Sequence, residues 1–176
     1  MGISSLYILD LKGRILISRA YRADVPANAN ELYQKKILEM DELTLKPVIY
    51  DEENQVVFIH IRYQNLIFLA TIVKDINVVM AYTFLHKLIE IFKSYFNNVE
   101  EESVRDNFVI IYELLDECID NGYIQLVDPV VLKEFIKTDY HELVKAKTKN
   151  KKDTGLAVPQ IGSAVNWRKE GIVHKE

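Results

Sequence analysis

The stretch Leu66-Ile67-Phe68-Leu69-Ala70-Thr71-Ile72-Val73, followed after a polar break by Val78, Tyr82, Leu85, Ile89, Phe92 and Phe96, decides the fold. The first eight residues are apolar on both alternating faces and rich in β-branched types, which predicts a strand buried on both sides. The six that follow recur at steps of three and four, the stripe of a long amphipathic helix, and Asn97-Asn98 marks its end. The period changes from two to 3.6 within a few residues, so sheet lies upstream and helix downstream.

Upstream, Pro47 opens a strand through Val48, Ile49 and Tyr50, and the polar turn Asp51-Glu52-Glu53-Asn54 returns the chain into Val56 to Arg62. Gln64-Asn65 makes the next turn, so three strands with short connections form an antiparallel meander. At the start of the chain, Leu6 to Leu11 and Arg14 to Ile17 are two apolar runs around Gly13, which predicts a β-hairpin turning on a positive-φ glycine. Their apolar faces place both strands in the middle of the sheet. Pro26 and Asn28-Ala29-Asn30 mark a loop, after which Leu32, Tyr33, Ile37, Leu38 and Met40 predict a first helix.

Downstream, Val104, Phe108, Ile111, Tyr112, Leu115 and Ile119 repeat the helical spacing, with a capping-box start at Ser103 and Asp106 and a stop at Gly122. On this stripe Phe108 is a core residue, and Phe108→Ala is expected to cost about 3–5 kcal/mol. A short helical segment runs from Val131 to Ile136, and then Lys145, Lys147, Lys149, Lys151 and Lys152 alternate with polar residues as a linker. The order β-β-α-β-β-β-α-α predicts an α+β fold, an antiparallel five-stranded sheet packed with helices in two layers.

Composition narrows the function. With 49% hydrophobic and 27% charged residues the 176-residue chain has room for one well-buried core, and its net charge of -4 does not provide the basic excess of a nucleic-acid binder. Cys118 is the single cysteine, so no internal disulfide or multi-cysteine metal site forms, and a reducing, cytosolic compartment fits. The first residues read neither as a secretory signal nor as a myristoylation site, and the most apolar stretch, Ile76 to Phe92, is broken by His86, Lys87 and Glu90. Membrane contact is therefore expected through partners.

The block from Glu100-Glu101-Glu102-Ser103-Val104-Arg105-Asp106-Asn107-Phe108 to Tyr112-Glu113-Leu114-Leu115-Asp116-Glu117 resembles a signature of clathrin-adaptor medium (mu) subunits. Supporting matches run from Tyr7–Asp10 with Lys12-Gly13, through Leu16-Ile17-Ser18-Arg19, Tyr21-Arg22 and Phe84-Leu85-His86-Lys87-Leu88, to Trp167-Arg168-Lys169-Glu170-Gly171-Ile172. The acidic-rich form is more similar to the mu subunit of adaptor protein complex 1 than to that of the plasma-membrane complex.

The resemblance implies a longin-like domain over residues 1–141, a flexible basic linker over 142–163, and the start of a truncated mu-homology domain over 164–176. It implies a non-catalytic role in vesicle-mediated transport, docked on a large beta-type subunit beside a second large subunit and a small sigma subunit. Clathrin, an Arf-type GTPase and cargo tails with tyrosine-based signals would be met through the complex, at trans-Golgi and endosomal membranes. No cofactor is implied, and no cargo-binding residue falls in this stretch. Where related mu chains often carry a phosphorylatable threonine five residues before the tryptophan, Gly162 stands here, leaving Ser163 and Thr154 as candidate phosphorylation sites. The alternative is a free-standing longin domain, an adaptor small subunit or the regulatory head of a membrane-fusion protein.

Residue by residue, catalysis finds little support. His60, His86, His141 and His174 lack metal-ligand spacing, and no phosphate-binding loop surrounds the glycines. Glu113, Asp116, Glu117 and Asp120 share a helical face, read as solvated or as a docking face for a basic partner. Cys118 has no basic neighbour in sequence to activate it. Tyr82-Thr83-Phe84-Leu85, Tyr112-Glu113-Leu114-Leu115 and Tyr123-Ile124-Gln125-Leu126 match the tyrosine-signal pattern, but packed helices would have to unfold to present the first two.

Overall fold

A computed structural model describes residues 2–38, 46–73 and 77–140. Strands β1 (Ser5–Asp10) and β2 (Ile15–Ala20) form the opening hairpin, helix α1 spans Ala29–Leu38, and β3 (Val48–Asp51), β4 (Val56–Tyr63) and β5 (Leu66–Val73) form the meander. Helix α2 (Val78–Phe96) follows, then α3 (Glu101–Asp106), α4 (Phe108–Cys118), the two-residue strands β6 (Ile119–Asp120) and β7 (Tyr123–Ile124), and α5 (Pro129–Phe135). The five longer strands pair antiparallel in the order β2-β1-β5-β4-β3, the α+β longin-like sheet expected from the sequence.

The hairpin turns on Gly13 at φ +80°. Asp10 organises that turn: its carboxylate accepts from the backbone of Lys12 at 2.9 Å and Arg14 at 2.8 Å, and from the Arg14 Nε at 2.5 Å. Burial raises the Asp10 pKa, but these donors outweigh it, and the carboxyl is held below its ordinary value. Only β1 is central, however, because β5 takes the place beside it and leaves β2 at the sheet edge with Ile15 exposed.

The core has two sides, which corrects the expectation of two layers. Leu6 and Ile8 of β1, Val57 and Ile59 of β4, and Phe68, Ala70 and Ile72 of β5 pack with α2 and α4. Tyr7, Leu9, Phe58, Ile67 and Leu69 point the other way, where Ala29 and Tyr33 of α1 cover them. The alternation along each strand thus feeds helices on both faces, a three-layer arrangement. Asn77 caps α2 by accepting from the Met80 amide at 3.1 Å, and Asn97 ends it at φ +59°, where the sequence places its end.

The second long helix departs from expectation. Asn107, at φ −118° and ψ 23°, breaks it into α3 and α4, and its buried side chain donates to the Ser103 carbonyl at 2.9 Å. The capping box starts three residues earlier than expected, with Glu100 as N-cap and its amide donating to Ser103 Oγ at 3.4 Å. Phe108 is the first residue of α4, about 20° round the helix from Leu115 on the side away from the centre of the buried stripe. The stripe of α4 is Ile110, Ile111, Leu114, Leu115 and Cys118, and Phe108, at the margin of that stripe in the first turn, is 55% exposed. Phe108→Ala is therefore expected to cost less than about 1 kcal/mol in chemical denaturation, and a loss of core size would refute its outward placement.

Candidate functional site

Among the described residues no three His, Cys, Asp or Glu side chains cluster as metal ligands would. His60 is buried on β4 with its ring centroid 5.6 Å from that of Tyr33 on α1, and His86 lies exposed on α2 with its ring 4.8 Å from Tyr82. His141 and His174 fall outside the described residues. Burial also fixes the state of Cys118: desolvation, with Glu117 as a lesser cause, pushes its thiol up to about 12, far from the thiolate a nucleophile needs.

Desolvation lowers the His60 pKa, so the folded protein keeps this ring neutral where the unfolded chain already binds a proton. The contribution is complete above the unfolded value of about 6.5 and is lost as pH falls below it. Urea denaturation at pH 7.5 and 5.5 is expected to show lower stability at 5.5, with the drop reduced in His60→Phe. An equal drop in the variant would remove His60 from the account.

The tyrosine patterns are where a packed fold would put them. Leu85 and Leu115 are buried, so the first two are not extended peptides, while Tyr123 is exposed on β7.

The carboxylates of α4 form the most distinctive surface. Glu113, Asp116 and Glu117 are exposed, as read from the sequence, while Asp120 belongs to β6 rather than the helix. Asp116 pairs with Arg19 of β2 at 2.6 Å, and Glu113 accepts from the Thr138 hydroxyl at 2.6 Å. A groove of about 420 Å³ runs between Glu113, Asp116 and Glu117 on one side and residues 135–138 on the other. At the N-terminal end of the same helix Phe108 and Val109 are exposed, and Phe135, 69% exposed, borders the groove. These three apolar residues were missed as surface features. The available signal was the complete stripe from Ile110 to Cys118, which leaves no core position for Phe108. A larger cleft of about 780 Å³ lies between β2, the loop after it and the first turn of α1, with Tyr7, Ile15, Val25 and Asn30 in its lining.

The profile of the family described as clathrin adaptor complex small chain matches residues 2–141, which is most of the chain. The chain belongs to that family. It is also similar to the AP-1 complex subunit mu of Dictyostelium discoideum, 42% identical over 177 residues, and to the AP-1 complex subunit mu-2 of Homo sapiens, 40% identical over 177 residues. Each alignment covers 100% of this chain and 40% of the relative, so this family member spans well under half the length of those subunits. In fold it resembles a chain of an assembly described as a homology model of the full-length AP-3 complex in a stretched open conformation. That match has a TM-score of 0.56 at 14% identity and covers 76% of this chain and 92% of the other.

Proposed function

We propose that residues 1–141 are the assembly module of a mu-type clathrin adaptor subunit, which docks on a large beta-type subunit and contributes to vesicle-mediated protein transport without catalysing a reaction. The observation that carries the reading is the continuation of the similarity to AP-1 mu subunits through 100% of the chain, past residue 141 where the small-chain profile stops. A small subunit or a free-standing longin domain would give no reason for that continuation. The adjacent exposed residues Phe108 and Val109 at the start of α4 support docking, since neighbouring large apolar side chains turned to solvent mark interaction surfaces.

On this reading residues 142–163 are a basic linker, with Ser163 and Thr154 as its candidate phosphorylation positions, and 164–176 open a mu-homology domain that reads tyrosine-based cargo signals. These positions lie outside the described residues. The second large subunit, a sigma subunit, clathrin and an Arf-type GTPase are reached through the complex, which brings the protein to trans-Golgi and endosomal membranes as a peripheral component. No described helix is long and apolar enough to cross a membrane.

Co-expression of the full chain with a beta-type large subunit, and separately with the other large subunit, tests the reading. A one-to-one complex with the beta type is expected, with an interface of about 1,200–2,000 Å² or more. Failure to co-purify with it would remove docking from the proposal.

A further inference from the structure

The charge on α4 runs against its own polarity. The C-terminal end of a helix is the negative end of its dipole, where lysine and arginine are favoured. α4 has no basic residue in its last turn and exposes Glu113, Asp116 and Glu117 instead. Arg19 neutralises Asp116, and among the described residues Glu117 has no ion pair. At 100° per residue Phe108, Tyr112 and Asp116 form one outward ridge, and Val109, Glu113 and Glu117 form the next. The face is therefore apolar at its start and acidic at its end, over about 14 Å of helix. β2 closes one side, with the Tyr112 hydroxyl donating to the Ser18 carbonyl at 3.4 Å, and the groove bordered by Phe135 opens on the other.

Two independent features thus describe one occupant. Exposed Phe108 and Val109, at 55% and 52%, call for an apolar side chain. The groove joins three carboxylates to an exposed aromatic ring, with Lys137 the one basic residue among the described residues of its lining, and a partner's guanidinium can pair with the carboxylates and stack on the ring. A cation there also removes the conflict between the carboxylates and the helix dipole. An anionic surface, such as an acidic membrane, would be repelled by the same residues.

We propose that the outward face of α4, from Phe108 to Glu117 with the groove beside Phe135, receives a basic, partly apolar segment of the large subunit, which seats an apolar side chain on Phe108–Val109 and an arginine or lysine among the carboxylates. This rests on the assembly reading above. One helix face is smaller than a stable interface requires, so it is one strip of the docking surface.

The test measures the dissociation constant of the full chain with a beta-type large subunit at low and moderate salt. Phe108→Ser and Glu117→Lys, both at exposed positions, are compared with Val79→Ser, an exposed apolar position on α2, and thermal melts check that each variant folds. Phe108→Ser is expected to weaken binding at least tenfold. Glu117→Lys is expected to weaken it about tenfold at low salt and to flatten the salt dependence, and Val79→Ser to bind as the unaltered chain does. If the unaltered chain binds and both α4 variants bind equally well, the face is wrong while the assembly reading stands. Loss in Phe108→Ser alone overturns the basic chemistry of the partner. If the unaltered chain does not bind, both readings fall.

Discussion

Phe92→Ala is expected to destabilise the domain by about 3–5 kcal/mol in chemical denaturation, the largest single-side-chain effect in the core. Phe92 is fully buried on α2, with its ring centroid 5.8 Å from that of Phe68 on β5 and 5.6 Å from that of Phe96. Removing the ring takes contacts from the sheet and from its own helix together. The rigid strand beneath and the next turn of α2 limit collapse into the space, which places the cost at the upper end for a large-to-small change. The same substitution at Phe108 removes the same atoms from a half-exposed site and costs several-fold less. A similar loss at the two positions would contradict the exposed placement of Phe108.

Gly122→Ala is expected to cost about 2–4 kcal/mol, although it adds only one carbon. Gly122 has φ +86°, and a Cβ there would lie 2.4 Å from the backbone oxygen of Ile3. Its carbonyl also accepts from the Ile3 amide at 2.7 Å, so the turn cannot retreat without giving up that bond. Gly13 provides the comparison: its φ is +80°, but the nearest atom to a Cβ is Gln34 Cγ at 3.0 Å, part of a side chain that can move. Gly13→Ala should therefore cost about 1 kcal/mol, mostly for the backbone conformation. Equal losses in thermal or urea unfolding would show that conformation, and not the contact with Ile3, sets the cost at Gly122.

These two positions also show what the sequence could convey. β5 and α2 were legible because their apolar patterns are long and their ends carry turn and cap residues. The turn at Gly13 was legible because few other residues tolerate its φ. The edge position of β2 was not, nor was its irregular register: Ile15 and Ile17 look alike in sequence, and the shift that pairs Ile17 with Ile8 and Ile15 with Leu9 separates a buried residue from an exposed one. The cover of α1 on the second face was hidden for the same reason, since strands with two apolar faces do not say which helix takes which. Asn107 is a weak helix former that helices often tolerate, so periodicity ran across it. The acidic side of α4 was read correctly because carboxylates follow solvent, whereas its apolar end lies at the margin of the stripe, where spacing alone does not separate buried from exposed.

The contact between the first residues and the Gly122 turn also bears on how the protein is made. β1 is bounded by β2 on one side and β5 on the other, and Ile3 just before it is bonded to the turn between β6 and β7. At synthesis rates of about 5–20 residues per second, the first strand waits roughly 6–24 s for that turn to be translated. During this interval an apolar strand has β2 available early, then β5, and last its closing contact. Such long-range pairing slows folding and leaves strand edges open to other chains. The nascent protein is thus expected to need shielding until the residues around Gly122 leave the ribosome, and release of ribosome-bound chains shortened before Gly122 should yield aggregates where longer ones yield folded domain.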